Sequence, residues 1–312
     1  MRAVAVILCL AYAAIAAPPR ARLTRVRIPL WLDASPSHEL SPRDFTATID
    51  GASSRVLQVQ CPDDDLVVLL VLDLSSGDLT LADPAKEALN AEIRKLPPNA
   101  FVGLLRSQDG LTVLHDPIAD RDVIATLVAQ QTLSGKTGLL ATVDTAGRIA
   151  DAMLEKSAVR IAILYVTDGD VRNYREDFTN PVINSSDSHD LSRRFPETLV
   201  QEKIAKLDAV LAAEQAPVFI INVGQQTDRL NEAYQNGMKQ LAETTGGAAF
   251  FSRSTTEIPE AVRRGFDAVV SHYSLTLGLP DHVSRRPQIH VALAEGGRSL
   301  TYRTRIVLRP RR

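Results

Sequence analysis

The sequence contains little cysteine, few aromatic residues and almost no excess of either charge. Cys9 and Cys61 are the two cysteines among 312 residues, and aromatic residues account for 5%. The 35 basic and 37 acidic side chains give a formal net charge of -2, which excludes the basic surface typical of nucleic-acid-binding proteins. The 16 glycines and 17 prolines are near ordinary levels and exclude a low-complexity or collagen-like chain. A chain of this length buries about three quarters of its unfolded surface, so it needs neither disulfides nor a metal to form a core.

An apolar run at the N-terminus has the features of a cleaved secretory signal. Residues Ala3 to Ala13 follow the basic Arg2, and Ala14-Ile15-Ala16 then offers the small-residue pattern that signal peptidase accepts. The run is shorter than the roughly 20 residues of a membrane-spanning helix. We therefore predict that residues 1–17 are a signal peptide and that the protein is secreted or periplasmic, which leaves Cys61 as its one thiol. A buried N-terminal strand is the alternative.

The rest of the chain predicts an α/β domain between two β segments. Residues 18–63 and 272–312 alternate β-branched and polar residues, whereas residues 64–271 alternate apolar strands with helices. Within the middle segment, Leu66–Leu72 and Val159–Thr167 are typical of parallel strands buried on both faces. We predict a doubly wound, mostly parallel, Rossmann-like sheet with helices on both faces. Because an isolated β segment of two or three strands is marginal in water, we expect the two chain ends to pair into one small flanking β-sandwich.

Local signals predict several boundaries of these elements. Asp50-Gly51 and Asp109-Gly110 are typical hairpin turns. Asp83 precedes a proline, which predicts a helix over Pro84–Leu96 with Asp83 as its N-cap. In the C-terminal segment we expect a last strand over Leu300–Leu308.

Side chains with hard oxygen ligands fall near the ends of the buried strands. Ligands of a doubly wound sheet bind beyond the carboxyl ends of its strands. The candidate segments are Asp73–Gly77 and Thr167–Asp170, each directly after an apolar strand, and Gly135–Leu139 between two helices. Carboxylate and hydroxyl oxygens at such places are the ligands that Mg²⁺ or Mn²⁺ requires.

The order Asp-x-Ser, then Gly-x-Thr, then Thr-Asp-Gly resembles the von Willebrand factor type A (VWA) domain and its metal-ion-dependent adhesion site (MIDAS). The resemblance covers Leu66 to Val270, and the leader and flanking β segments are similar to those of secreted bacterial proteins with related domains. It implies that Asp73, Ser75 and Thr137 contact Mg²⁺ or Mn²⁺ and that Asp168 acts directly or through water. It also implies that a carboxylate of a protein partner completes the coordination.

One position departs from the family pattern. The second serine of the first motif is replaced by Gly77, so one hydroxyl ligand is missing. Mg²⁺ readily keeps water ligands, and a water in that position would preserve the site with lower affinity. The alternative is a degenerate site in which Asp73 and Asp168 only cap helices and loop amides.

Four other features of the sequence do not lead to a different chemistry. Ser134–Thr137 is similar to the end of a phosphate-binding loop, but the signature needs glycine at Gln130, which excludes a nucleotide site. No Gly-x-Ser-x-Gly motif of hydrolases occurs. The six histidines lack zinc-like spacing, and we interpret them as surface or turn residues. Asp63–Asp65 is interpreted as a solvated loop at the amino end of the first buried strand.

These observations favour a binding function over catalysis. No nucleophile, base and oxyanion-hole set is recognisable, so we expect a non-enzymatic protein-binding or adhesion module with neither nucleic acid nor nucleotide as partner. The polar segment 171–198 follows the Thr-Asp-Gly motif and is a candidate specificity loop, with a disordered insertion as the alternative. Two other functions stay open: a metal-independent structural or assembly component of the cell envelope, and a metal-dependent hydrolase that uses the same carboxylates.

Overall fold

The computed structural model describes residues 25–33, 36, 38–75, 79–133, 136, 138–171, 196–294 and 299–308. The strands are β1 (Arg25–Leu32), β2 (Phe45–Ile49), β3 (Ala52–Ser54), β4 (Val56–Gln60), β5 (Leu66–Asp73), β6 (Ala100–Ser107), β7 (Leu111–Ile118), β8 (Arg160–Thr167), β9 (Val218–Asn222), β10 (Ala249–Phe251), β11 (Tyr273–Gly278), β12 (Ile289–Leu293) and β13 (Leu300–Tyr302). The α-helices are α1 (Leu79–Lys95), α2 (Arg121–Gln130), α3 (Leu139–Lys156), α4 (Pro196–Leu211), α5 (Arg229–Thr245) and α6 (Ile258–Ser271). The predicted signal peptide, Gly77, Thr137 and most of segment 171–198 lie outside the described residues.

A six-stranded sheet in the order β10-β9-β8-β5-β6-β7 forms the centre of the molecule. Its neighbouring strands are parallel except for β6 and β7, which the predicted Asp109-Gly110 turn joins as an antiparallel pair. Every residue of β5 and β8 is buried, as expected for central strands covered on both faces. Helices α1, α2 and α6 pack on one face, and α3, α4 and α5 pack on the other. The predicted fold class, a doubly wound and mostly parallel sheet, is confirmed.

Helix α1 begins earlier than its sequence signals predict. The expected start at Pro84 with Asp83 as N-cap is wrong, because the helix begins at Leu79 and contains Pro84 in its second turn. Proline there removes one hydrogen bond, to the carbonyl of Thr80, whose residue is exposed and accessible to water. Leu81 and the buried Ala85 pack into the core on either side of Pro84. These apolar contacts extend the helix toward the N-terminus, so that the proline no longer stands in the first turn, where it is preferred.

The two ends of the chain form the flanking β-sandwich. One sheet has the order β13-β1-β11-β4 and the other β12-β2-β3, so each combines strands from before and after the central sheet. Strand β1 pairs with β11 over six residues, and β12 pairs with β2 over five. The two sheets share one apolar core. Asp50 and Gly51 both have positive φ angles, of 51° and 79°, as a tight β2–β3 hairpin turn requires.

The last predicted strand is shorter than expected. Strand β13 ends at Tyr302, so the prediction of a strand to Leu308 is wrong. Arg303 leaves the sheet because its buried guanidinium donates hydrogen bonds to carbonyl oxygens at the C-terminal end of α4, those of Leu211, Ala212 and Glu214.

Polar side chains join the β-sandwich to the amino edge of the central sheet. Arg27 donates to the carbonyl of Ser157 at 3.1 Å, just after α3, and Trp31 Nε1 donates to the carbonyl of Ala268 in α6 at 3.0 Å. Ser157 lies just before the start of β8, so the sandwich packs at the edge opposite the carboxyl ends of β5 and β8.

The same junction corrects the interpretation of one histidine. His272, expected at the surface or in a turn, is 1% exposed and connects α6 to β11. Its Nδ1 lies 2.6 Å from the carbonyl oxygen of Val269. Arg160 is fully buried beside it and donates to the carbonyls of Val270 and His272, each at 2.9 Å. Arg160 also donates to the carbonyl of Asp64 at 2.8 Å, so it ties the Asp63–Asp65 loop, whose side chains are exposed as predicted, to the end of α6.

Among the described helices, none has the length and apolar character needed to cross a lipid bilayer.

Candidate metal centre

The adjacent ends of β5 and β8 bring three of the four predicted ligand residues together. Asp73 is the last residue of β5 and lies in register with Thr167, the last residue of β8. Asp168 directly follows β8, Ser75 stands two residues after Asp73, and the backbone N–H of Ser75 donates to Asp168 Oδ2 at 2.6 Å. Asp73, Ser75 and Asp168 are at most 5% exposed. Three of the predicted residues thus form one buried cluster at the carboxyl edge of the sheet.

Asp73 is held by donors from several elements. Its Oδ2 accepts from the hydroxyl of Thr167 at 2.8 Å, and its Oδ1 accepts from the backbone N–H of Gly138 at 2.8 Å. The hydroxyl of Ser107 also bonds to this carboxylate. Burial raises the pKa of Asp73 to about 7, the bonds from Gly138, Thr167 and Ser107 oppose that rise, and the nearby charge of Asp168 adds to it.

Asp168 is held by the loops on either side of it. Besides the Ser75 N–H, it accepts a bond from the Ser75 side chain, and its Oδ1 accepts from the backbone N–H of Asp170 at 3.1 Å. Burial raises the pKa of Asp168 above its usual value, although these hydrogen bonds lower it. The hydroxyls of Ser75 and Thr167 therefore both contact carboxylates of the site.

The Thr-Asp-Gly turn needs glycine for a conformational reason. Gly169 has a φ angle of +70°, and a Cβ there would lie 3.1 Å from both the Oδ1 and Nδ2 atoms of Asn222. Asn222 ends β9, is fully buried and accepts the backbone N–H of Gly224 at 2.9 Å. A Cβ on Gly224 would lie only 2.4 Å from the carbonyl oxygen of Asp168. The end of β9 thus packs closely under the turn that carries Asp168.

The fourth predicted ligand, Thr137, lies outside the described residues, but both of its neighbours are placed at this edge. Gly138 bonds to Asp73 as above. Lys136 donates its backbone N–H to Asp109 Oδ1 at 3.1 Å and accepts the N–H of Asp109 at 2.9 Å. Its side chain is exposed. A role of Thr137 as a ligand stays a prediction.

Sequence reasoning missed a set of buried polar residues behind Asp73. They are Ser107 at the end of β6, Thr142 in α3, Tyr165 in β8, and Gln108, whose amide donates to the carbonyl of Leu74. Ser107 and Gln108 could have been found by inspecting the end of every parallel strand, since Ser107 ends β6 and Gln108 follows it. Thr142 and Tyr165 carry no such signal, because their sequence neighbourhoods are those of an ordinary helix and strand.

The chemistry of the cluster fits a hard divalent cation. Two buried carboxylates stand beside two hydroxyls, and all four groups present oxygen. Among the described groups, the largest influences on the pKa values of Asp73 and Asp168 are burial, hydrogen bonds and other carboxylates, and none is a lysine or arginine. Buried carboxylates without a cationic partner are costly, so a bound cation would stabilise them. Within the described residues, three or more histidine, cysteine or acidic side chains do not gather around one point, so the fit depends on the hydroxyls.

The chain is similar in fold to proteins with VWA domains. No family model and no curated protein sequence matches it. A solved structure described as von Willebrand factor type A from Catenulispora acidiphila has a TM-score of 0.45 and 13% identity, with coverage of 92% of this chain and 75% of that one. The vWF domain of the type V pili tip protein Mfa5 from Porphyromonas gingivalis also has a TM-score of 0.45 and 13% identity, covering 67% and 95%. Proximal thread matrix protein 1 from the mussel byssus, with a zinc-occupied MIDAS motif, has a TM-score of 0.44 and 13% identity, covering 73% and 49%.

Proposed function

We propose that the protein is a non-enzymatic binding module that grips a protein partner through a divalent cation. Asp73, Ser75, Thr137 and Asp168 hold Mg²⁺ or Mn²⁺, and a carboxylate of the partner completes the coordination. The observation that carries the proposal is the buried Asp73, Ser75 and Asp168 cluster at adjacent strand ends, with two carboxylates and no cationic side chain among the largest influences on them. A cation at this edge supplies the positive charge that binds an acidic side chain.

The hydrogen bonds of the cluster favour binding over catalysis. A catalytic serine or threonine needs an adjacent base such as histidine to accept its proton. In the described part of the chain, the Thr167 hydroxyl donates to Asp73, and the Ser75 side chain bonds to Asp168. The hydroxyls thus orient the two carboxylates, and the metal-dependent hydrolase stays the weaker alternative.

The proposed partner is a protein of the cell envelope or the extracellular space. This follows from the signal peptide predicted at residues 1–17, and segment 171–198 is proposed to contact the partner beside the cation. The second candidate is a metal-independent assembly component of the envelope. The replacement of the second motif serine by Gly77 favours it, because each lost ligand lowers the affinity for a cation.

Calorimetric titration of the mature protein with Mg²⁺ and Mn²⁺ tests the proposal. We expect binding heat for the wild type and none for Asp73→Asn, which removes the charge but keeps the size of the side chain. The matched control is Asp63→Asn, which removes an exposed carboxylate at the opposite edge and should bind metal as the wild type does. Thermal unfolding of each variant shows that it is folded. A folded wild type with neither heat nor a thermal shift at millimolar metal would leave only the metal-independent role.

A further inference from the structure

A chain of buried hydroxyls runs from Asp73 into the interior of the α/β domain. The Ser107 hydroxyl bonds to the Asp73 carboxylate, and Ser107 Oγ lies 2.8 Å from Thr142 Oγ1. Thr142 Oγ1 lies 3.0 Å from the phenol oxygen of Tyr165. Ser107, Thr142, Tyr165 and Asp73 are each at most 2% exposed. The contacts therefore connect β6, α3 and β8 to one carboxylate without solvent-exposed groups.

The chemistry of these groups limits which of them donates a hydrogen bond and which accepts it. An ionised carboxylate only accepts hydrogen bonds, so Ser107 gives its single proton to Asp73. Burial raises the pKa of the Tyr165 phenol, which keeps that group a donor, and Thr142 is its hydrogen-bond partner. The Tyr165 phenol thus donates to Thr142 Oγ1, and Thr142 has one proton to share between the Gly138 carbonyl and Ser107 Oγ.

Thr142 also supports the second donor to Asp73. Its Oγ1 lies 2.9 Å from the carbonyl oxygen of Gly138, one helical turn earlier, and the Gly138 N–H donates to Asp73 Oδ1. One threonine therefore contacts both Ser107 and Gly138, the two residues that bond to Asp73 from the β6 and α3 sides. This makes Thr142 the residue at which the arrangement is most easily interrupted.

We propose that Ser107, Thr142 and Tyr165 are positioning residues that fix the Asp73 carboxylate for cation binding. The inference rests on the proposed metal-binding function of this site. A carboxylate has room for about four hydrogen-bond or metal contacts, and Thr167, Gly138 and Ser107 supply three of them from the protein. Three donors restrict rotation of the carboxylate, so its orientation is set before the cation binds. Outer contacts of this kind typically change metal affinity when they are removed.

The test compares Thr142→Val with Thr142→Ser in the mature protein. Valine keeps the shape and removes the hydroxyl, whereas serine keeps the hydroxyl and removes a buried methyl group. We expect Thr142→Val to weaken Mn²⁺ binding about tenfold or more in calorimetric titrations. Thr142→Ser should bind Mn²⁺ within about twofold of the wild type even where urea unfolding shows that it has lost stability. A merely structural role predicts instead that affinity follows stability in both variants.

Thr245→Val is the matched control. Thr245 is also buried in a helix of this domain, and its hydroxyl accepts the Val218 N–H at 2.9 Å and donates to the Ala242 carbonyl at 2.8 Å. It should lose stability and keep its Mn²⁺ affinity. If Thr142→Val does not fold, Tyr165→Phe interrupts the same chain at its first donor and should weaken Mn²⁺ binding severalfold.

The outcomes separate this inference from the proposed function. A folded Thr142→Val, or a folded Tyr165→Phe in its place, that binds Mn²⁺ like the wild type overturns the positioning role and leaves the metal site standing. Equal losses of affinity in Thr142→Val and Thr245→Val overturn it as well. A wild type that binds no Mn²⁺ overturns the proposed metal site and the positioning role together.

Discussion

At the scale of single residues, the candidate site combines two buried carboxylates with a strand-end geometry that holds them close. Asp73 ends β5 and Asp168 follows the adjacent parallel strand β8, and each carboxylate accepts hydrogen bonds from backbone N–H and hydroxyl groups. Burial of Asp73 raises its pKa, and the nearby charge of Asp168 raises it further. Burying two carboxylates without a cationic partner costs free energy, and this cost is the physical reason to expect a bound cation there.

Gly77→Ser should increase the metal affinity of the site. The substitution restores the hydroxyl that the VWA pattern has at this position, and each added oxygen ligand strengthens the hold on a hard cation. We expect roughly fivefold tighter Mg²⁺ binding, or about 1 kcal/mol, in calorimetric titrations. A folded Gly77→Ser with unchanged affinity would argue against a MIDAS-like role of the Asp73–Gly77 segment.

His272 should make the protein sensitive to acid. Burial, with a smaller effect of Arg160, lowers the pKa of His272 from 6.5 to about 3, so the folded state keeps this imidazole neutral. The unfolded state takes up a proton below pH 6.5, and stability from this group is therefore present above pH 6.5 and lost as the pH falls toward 3. Relative to His272→Gln, the wild type should lose about 2 kcal/mol of unfolding free energy between pH 7 and pH 5. Urea unfolding of both proteins at the two pH values measures this difference, and parallel pH dependences would contradict it.

The sequence reveals ligand residues more readily than the residues that position them. Asp73, Ser75 and Asp168 could be predicted because each stands at or shortly after the carboxyl end of a buried strand, where a doubly wound sheet binds its ligands. Thr142 and Tyr165 face the same site from inside a helix and a strand. Their positions depend on how α3 packs on β8, which no local pattern specifies.

At the scale of helices and strands, Arg303 caps the C-terminal end of α4. This contact explains why β13 is short, and it joins the β-sandwich to the α/β domain. Three carbonyl oxygens near the end of α4 accept bonds from one buried guanidinium. Burial lowers the pKa of Arg303 to about 10, which still leaves it charged at neutral pH. A cation at a helix C-terminus is also favoured by the helix dipole.

Arg303→Met should destabilise the protein without weakening its metal site. Loss of the charged donors leaves buried carbonyls unsatisfied, for which we expect about 3 kcal/mol in the free energy of unfolding. Urea unfolding measures the loss. Arg305→Met, two residues further on and exposed, is the control and should change stability by less than about 0.5 kcal/mol. Equal stabilities of the two variants would contradict the capping role.

Boundaries were predictable where the local chemistry agreed with the packing, and not elsewhere. At the start of α2, the Asp120 carboxylate accepts the N–H groups of Asp122 and Val123, which is the capping role typical of an aspartate directly before a helix. The Asp83-Pro84 motif predicted the wrong start for α1, because apolar contacts of the preceding turn extend the helix back to Leu79. Tertiary contacts decide such cases, and they are not readable from a local motif.

At the scale of the whole molecule, the β-sandwich and the candidate site occupy opposite edges of the central sheet. Strand β11 lies between β1 and β4, so the N-terminal strands depend on the C-terminal segment for pairing. The sandwich is thus expected to support the domain while a partner approaches the carboxyl edge.

Deletion of residues 273–312 should expose the N-terminal strands to protease. The deletion removes β11 and β12, the pairing partners of β1, β4 and β2. Limited proteolysis should then cut within residues 25–60 much faster than in the full chain, whereas deletion of residues 309–312 alone should have no effect. Equal protection of residues 25–60 in the full and truncated chains would contradict their dependence on the C-terminal strands.

The central claim is that a divalent cation binds between the ends of β5 and β8, and anomalous diffraction from crystals grown with Mn²⁺ tests it most directly. We predict an anomalous peak within about 2.5 Å of oxygen atoms from Asp73 and Ser75, close to Asp168. Crystals of Asp73→Asn under the same conditions should lack that peak. A well-ordered wild-type crystal with no peak at this edge, or with Mn²⁺ bound only elsewhere, would contradict the claim.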